Sequence, residues 1–232
     1  MGQRVVVVTG GGRGIGRAVC ERFASSGDQV VAVARTAEQL EQTRSAIEKS
    51  GGMCHTCKAD VTASDQVDAL MGECVERFGK VDVLVNCAGV AELSTIEELD
   101  GDTFDRIFAV NMRAIYLTCR AVWPVMRKRG TGVIVSISSM ASVEPFPGFA
   151  AYGASKAWVN LWTKALAEEG RPLGIRVFAV APGAVETSML RGAFPDFPAD
   201  QTLDPSDVAG VVCAVAEPAC QYATGQSVFL KK

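Results

Sequence analysis

The sequence predicts a doubly wound parallel α/β domain. Three observations carry this expectation. Residues 4–9 hold four consecutive valines, the composition of a parallel strand buried on both faces. A glycine-rich turn separates that strand from an amphipathic helical stretch. Apolar strand-like runs then alternate with helical patterns along the chain, with no linker, repeat or low-complexity tract between them. A single domain over residues 1–232 is therefore expected.

Composition narrows the partners. Of the 232 residues 48% are hydrophobic and 21% charged, so a large core can be buried. A net charge of −3 gives no reason to expect nucleic acid or an anionic membrane surface as partner. No signal-peptide pattern precedes the valine strand, and no apolar run approaches the roughly 20 residues of a membrane span. A cytoplasmic protein without membrane contact is expected. The eight cysteines lie mostly in apolar runs, as free thiols acting as small hydrophobes. Cys54-His55-Thr56-Cys57 has C-x-x-C spacing and holds the only histidine, a pattern that zinc or redox chemistry could use. No second ligand pair matches it and the segment reads as a strand, so no metal is expected.

The elements follow in order. After the first strand comes Thr9-Gly10-Gly11-Gly12-Arg13-Gly14-Ile15-Gly16, then a helix from about Gly14 to about Ser25. The spacing is Gly10-x-x-x-Gly14-x-Gly16 rather than G-x-G-x-x-G, but the physics is similar. Glycines let the backbone turn tightly and approach a pyrophosphate, and the helix start offers free N–H groups and a positive dipole end. Residues 29–34 form a second strand. About twenty positions after the glycines, an acidic residue would bind the ribose 2′-hydroxyl of NAD. Ala34 and Arg35 stand there instead, and with Arg13 two guanidiniums can converge on a 2′-phosphate. NADP(H) is therefore favoured over NAD(H).

A helix from 36 or 37 to 50 closes on Gly51-Gly52. The third strand, 53–59, ends at Asp60-Val61, where Asp60 could accept from an adenine amine or cap a helix. Residues 64–78 are helical, with Ser64 as the expected N-cap. A fourth strand, 82–85, runs into Asn86-Cys87-Ala88-Gly89, small enough to let the chain approach a cofactor ribose. Residues 97–129 read as one long helical stretch that contains Asn111, with a kink or break expected at Trp123-Pro124. A fifth strand, 132–137, leads into Ser138-Ser139, at the end of a strand where open α/β sheets bind ligands. Phe146 and Phe149 follow in a loop and could line a pocket.

The helix that carries Tyr152 and Lys156 runs to about 170. Four residues apart, they lie on one face, a turn apart. An ammonium near the phenol would favour phenolate and make the tyrosine a proton donor and acceptor nearer neutrality. A sixth strand, 174–181, ends in Pro182-Gly183-Ala184-Val185-Glu186-Thr187. Residues 188–202 show no clear periodicity and carry Phe194 and Phe197, so a short lid over about 188–203 is expected. A helix opens at Asp204-Pro205 and runs to about 217, and residues 226–230 form the last strand.

Together these motifs resemble the short-chain dehydrogenase/reductase family. They are T-G-G-G-R-G-I-G at Thr9, D-V at Asp60, N-C-A-G at Asn86, N at Asn111, S-I-S-S at Ser136, Y-G-A-S-K at Tyr152 and P-G-A-V-E-T at Pro182. Their order and spacing cover nearly the whole chain. The resemblance implies a Rossmann-like, seven-stranded parallel sheet in the order 3-2-1-4-5-6-7. It implies hydride transfer between a nicotinamide and a carbonyl or secondary-alcohol substrate. Tyr152 would be the general acid or base, Lys156 would lower its pKa and hold the nicotinamide ribose, Ser139 would bind the substrate oxygen, and Asn111 would order a water leading to Lys156. Gly10, Gly12, Arg13, Gly14, Ile15, Gly16, Arg35, Asp60, Val61, Asn86, Ala88 and Gly89 would bind cofactor. So would Pro182, Gly183, Val185 and Thr187, with the Val185 backbone on the carboxamide and Thr187 near the pyrophosphate. A homodimer or homotetramer joined through the Asn111 and Tyr152 helices is implied as well. Cys87 replaces the second Asn of the usual N-N-A-G. A non-catalytic dinucleotide sensor on the same fold is the alternative.

Overall fold

The valine run forms β1 (Val5–Thr9), whose five residues are all buried. Val5 and Val7 enter one apolar cluster, Val6 and Val8 the other. The strand thus separates two helix layers, and an alternating polar face would have nowhere to meet water. The computed structural model describes residues 3–232. After β1 come α1 (Gly14–Ser25), β2 (Gln29–Ala34), α2 (Ala37–Lys49), β3 (Met53–Lys58), α3 (Ser64–Phe78) and β4 (Val83–Asn86). Then follow α4 (Gly101–Phe108), α5 (Ala114–Arg129), β5 (Gly132–Ile137), α6 (Ala150–Gly170), β6 (Ile175–Pro182), α7 (Ser188–Ala193), α8 (Pro205–Ala216) and β7 (Ser227–Leu230).

All seven strands pair in parallel in the order β3-β2-β1-β4-β5-β6-β7. Buried residues of α1, α2 and α8 cover one face, and those of α3, α5 and α6 the other. Chain order reverses between β1 and β4, so the loops after these two strands diverge and leave a crevice at their carboxyl ends.

Several local expectations are corrected. The stretch that reads as one helix over 97–129 begins only at Gly101, because Asp100 accepts from Thr103 N–H and so caps α4. Between α4 and α5 the chain winds as a π-turn, Ala109–Arg113, around Asn111. Pro124 does not break α5: it is exposed, while Val122 and Met126 on either side are fully buried and anchor the helix. Ser64 is the first helical residue of α3, and the cap position is Ala63, without a side-chain cap. The stretch after residue 187 contains α7, capped by Thr187, and a 3-10 turn, Ala199–Gln201. The last helix is set by a capping box between Asp204 and Asp207, with Pro205 in its first turn. On β3, Cys54 packs into one apolar layer and Cys57 into the opposite one, so the C-x-x-C thiols face away from each other.

Candidate active site

The crevice is a cleft of about 930 Å³. It is lined by Gly10, Gly12, Arg13, Gly14, Ile15, Gly16, Arg35, Asp60, Val61, Ala88 and Gly89 on one side. Ser139, Tyr152, Lys156, Pro182, Gly183, Val185 and Thr187 close the other. The two asparagines singled out from the sequence, Asn86 and Asn111, do not line it; both are buried behind its wall.

The glycine loop is shaped by contacts too close for side chains. A Cβ on Gly16 would lie 2.1 Å from the Gly10 carbonyl oxygen, and one on Gly10 would lie 2.9 Å from the Ala88 backbone. The second contact draws the loops after β1 and β4 together. Thr9 reinforces it, since its Oγ1 accepts from the N–H groups of Cys87 (3.1 Å) and Ala88 (3.2 Å). Arg13 stands at the N-cap of α1 and makes no side-chain cap there, which leaves the N–H groups of the first turn to the cleft. Its guanidinium instead donates to Ser188 Oγ at 3.1 Å. Arg35 is exposed at the rim, close enough to Asp60 to act on its charge. Asp60 caps no helix: its Oδ1 accepts from Thr62 N–H (2.9 Å) and Thr62 Oγ1 (2.7 Å). Burial works against that carboxylate, but the Thr62 donors hold it below the usual carboxylate range.

The opposite wall carries the titratable groups. Lys156 is buried, and its Nζ donates to the Ile137 carbonyl at 2.8 Å. That stitch fixes α6 to the end of β5, helped by Ser138 Oγ donating to the Lys156 carbonyl at 3.0 Å. The ammonium lies 5.7 Å from the centroid of the Tyr152 ring. Burial lowers Lys156 to about 8. The expected lowering of the phenol is not found in this arrangement: burial raises Tyr152, and hydrogen bonding with Ser139 offsets only part of it. Ser139 Oγ accepts from Ala141 N–H at 3.1 Å, which leaves the hydroxyl proton free to donate.

The family resemblance implies that Asn111 orders a water; its side chain also bonds directly to protein. Oδ1 accepts from Val90 N–H (2.9 Å), and Nδ2 donates to the Val90 carbonyl (2.9 Å) and to Ser155 Oγ (3.0 Å). It holds the Gly89–Val90 turn against α6, so that a Cβ on Gly89 would stand 3.6 Å from Lys156 Nζ. Asn86 likewise accepts from Thr118 Oγ1 at 2.7 Å. Sequence reasoning gives Thr9 no role of its own, although it stands at the carboxyl end of a strand, and it names Ser138 beside Ser139 at the ligand end of β5 without its part in fastening α6 there. It also gives no role to Glu144 and Lys231, which line the cleft and pair at 2.9 Å; their meeting across 87 positions has no local signature.

An apolar wall completes the cleft. Phe149 lies 5.0 Å from Tyr152 and 5.7 Å from Phe194, ring centre to ring centre, and Phe146 lies 5.8 Å from Phe194. Phe197 lines the cleft beside them. The segment bearing Phe194 and Phe197 is clamped by Arg191, whose Nε donates to Glu186 Oε1 (2.8 Å) and Nη1 to the Phe197 carbonyl (2.6 Å). Its base is a bridge in which Glu186 N–H donates to Leu203 and Leu203 N–H to Ala184. Among the described residues the Val185 N–H has no partner. Glycines with no room for a Cβ, uncapped N–H groups and a rim of guanidiniums fit a dinucleotide laid along the cleft.

Fold and cleft together define a dinucleotide-binding protein of the doubly wound α/β class. A family model described as short chain dehydrogenase matches residues 4–197, and the chain belongs to that family. It is 36% identical to 3beta-hydroxysteroid dehydrogenase 1 of Eggerthella lenta, over 98% of this chain and 92% of that protein. It is 42% identical to 2-(R)-hydroxypropyl-CoM dehydrogenase of Xanthobacter autotrophicus, over 80% of this chain and 76% of that one. Among solved structures it resembles 3-ketoacyl-(acyl-carrier-protein) reductase of Brucella melitensis complexed with NADH, with TM-score 0.91 and 33% identity over 98% of this chain and 96% of that chain. The protein is thus an oxidoreductase acting on CH–OH or C=O groups with a nicotinamide dinucleotide.

Proposed function

We propose that this protein is an NADP(H)-dependent oxidoreductase for a small or medium apolar carbonyl compound and its secondary alcohol, with Tyr152 as proton donor and acceptor. The observation that carries the reading is the convergence of Ser139, Tyr152 and Lys156 at the inner end of the cleft, beside the Phe149 wall. A bound nicotinamide would supply or take up the hydride. The chain's own residues do the rest. Ser139, with Ala141 N–H on its oxygen, donates to the substrate oxygen. Tyr152 passes its proton to that oxygen as negative charge develops there. Lys156 holds the cofactor ribose and supplies positive charge under the ring. Asn111 acts one step back, fixing the turn against which Lys156 lies.

Gly10, Gly12, Gly14, Ile15 and Gly16 receive the pyrophosphate, Asp60 and Val61 flank the adenine, and Asn86 shapes the Ala88–Gly89 turn from behind. Pro182, Gly183 and Thr187 border the nicotinamide, and the unpartnered Val185 N–H meets its carboxamide. Arg35 and Arg13 favour a 2′-phosphate, for no carboxylate stands at the end of β2 to take a 2′-hydroxyl. Residues 188–203 form the lid of a single domain. The phenylalanine wall suits a flat apolar substrate, in keeping with the steroid named for the Eggerthella relative. Exposed Tyr116 on α5 and Leu161 on α6 suit a homodimer or homotetramer joined through these helices.

Two substitutions test the reading. Tyr152→Phe should abolish turnover of a carbonyl panel, followed by NADPH absorbance, while NADPH still binds; a fully active variant would refute the mechanism. Arg35→Ala should weaken NADPH far more than NADH, by about ten-fold or more for a lost charge-assisted contact. Equal loss for both dinucleotides would remove the 2′-phosphate assignment.

A further inference from the structure

The turn that carries Ser139 is tied at its outer end by a directional chain of hydrogen bonds. Ser227 of β7 donates to Asn160 Oδ1 at 3.3 Å, Asn160 Nδ2 donates to Ser142 Oγ at 2.8 Å, and Ser142 donates to the Ser139 carbonyl at 2.6 Å. The polarity is forced. A carbonyl only accepts, so the Ser142 proton points at Ser139, and its oxygen is left to receive the amide of Asn160.

Asn160 stands one helical turn beyond Lys156 on α6. The two residues hold the same loop at its two ends. Lys156 fixes the inner end through Ile137 and Ser138. Gly153 lets the middle approach, since a Cβ there would lie 2.8 Å from the Ala141 carbonyl oxygen. Asn160 fixes the outer end through Ser142. Ser139 lies between, and its hydroxyl is oriented by Ala141 N–H, a group inside the stretch that Asn160 secures.

We propose that Asn160 is a positioning residue for Ser139: by donating to Ser142 it holds the 139–142 turn so that the Ser139 hydroxyl stays aimed at the substrate oxygen. This rests on the reading of Ser139 given above. Asn160 does not itself reach the cleft. It acts through Ser142 and the backbone.

Asn160→Asp keeps the shape but cannot donate from a carboxylate, and it draws the Ser142 proton away from the Ser139 carbonyl. Ser142→Ala removes the middle of the chain with a smaller change and serves if the first variant folds poorly. Each should lower kcat/KM for a carbonyl substrate about ten-fold, as a misaimed donor does. The Kd for NADPH, read by fluorescence, should not change. Each should add no further loss when combined with Ser139→Ala, because the donor it aims is already gone. Losses that multiply with that of Ser139→Ala, or parental kcat/KM in both single variants, would overturn the assignment of Asn160 alone. Parental activity in Ser139→Ala would overturn the reading of the site itself.

Discussion

Lys156 and Tyr152 are both moved by burial, in opposite directions. Leaving water disfavours the charged form, so the ammonium falls to about 8 and the phenol rises above its ordinary value. At pH 7 the lysine is then mostly charged and the tyrosine neutral, the state of a proton donor. Carbonyl reduction should hold level up to about pH 8 and fall above it, as Lys156 loses its proton. Alcohol oxidation, which needs phenolate beside the charged lysine, should climb with pH up to about pH 8 and then level off. Initial rates in both directions across neutral and alkaline pH check this, and a reductive rate that rises as Lys156 deprotonates would count against it. The spacing of Tyr152 and Lys156 makes their meeting legible in the sequence. The direction of the tyrosine shift is not legible there, because it depends on atoms that β5 and the Ser139 loop bring around the ring. Asn111 shows the same limit: its position in a motif is plain, but a π-turn decides that its amide faces Val90 and Ser155.

At the scale of elements, strands are more legible than helix ends. Residues 132–137 read as a strand and form β5, because a run buried on both faces needs no partner to be recognised. The start of α4 is hidden because helix formers, Glu97-Glu98-Leu99, run right up to the acidic cap at Asp100. Pro124 misleads because propensity is local while the anchoring of α5 at Val122 and Met126 is tertiary. The glycines within helices separate by the same logic. Gly16 in α1 has the Gly10 carbonyl where its side chain would go. Gly72 in α3 has nothing within 4 Å of the point a Cβ would occupy, and its backbone is ordinary helix. Gly72→Ala should therefore stabilise the protein by about 0.5–1 kcal/mol. Thermal denaturation would show a rise of roughly 1–4 °C, and a fall would mean that α3 packs otherwise.

For the whole molecule, alternation of strand and helix declares the fold class, but not the strand order, which comes from the family resemblance. Local pattern says that strands are buried; it does not say which are neighbours. The distribution of thiols has a consequence at this scale. Burial raises Cys20, takes Cys54 and Cys57 to about 11, and takes Cys74, Cys87, Cys119 and Cys213 to about 12. A thiol raised in the fold contributes stability that is whole below about pH 9 and is lost as pH rises toward the folded value. Each fully buried thiol loses about 1.4 kcal/mol per pH unit in that window, the half-exposed ones less. Lys156, lowered in the fold, works the other way between about pH 8 and its ordinary 10.5. Seven thiols outweigh one lysine, so the urea midpoint in reducing buffer should drop steeply between pH 9 and about 11. A midpoint constant across that range would refute the burial of these groups.

Cys20 gives one of those thiols a further use. It is fully buried directly under the glycine loop, with its sulfur 3.0 Å from where a Gly11 side chain would begin. An alkylating reagent gains access to it when the loop lifts away from α1. The speed at which Cys20 is labelled is therefore a built-in clock for the breathing of the nucleotide cradle, and a dinucleotide seated in that cradle should slow it.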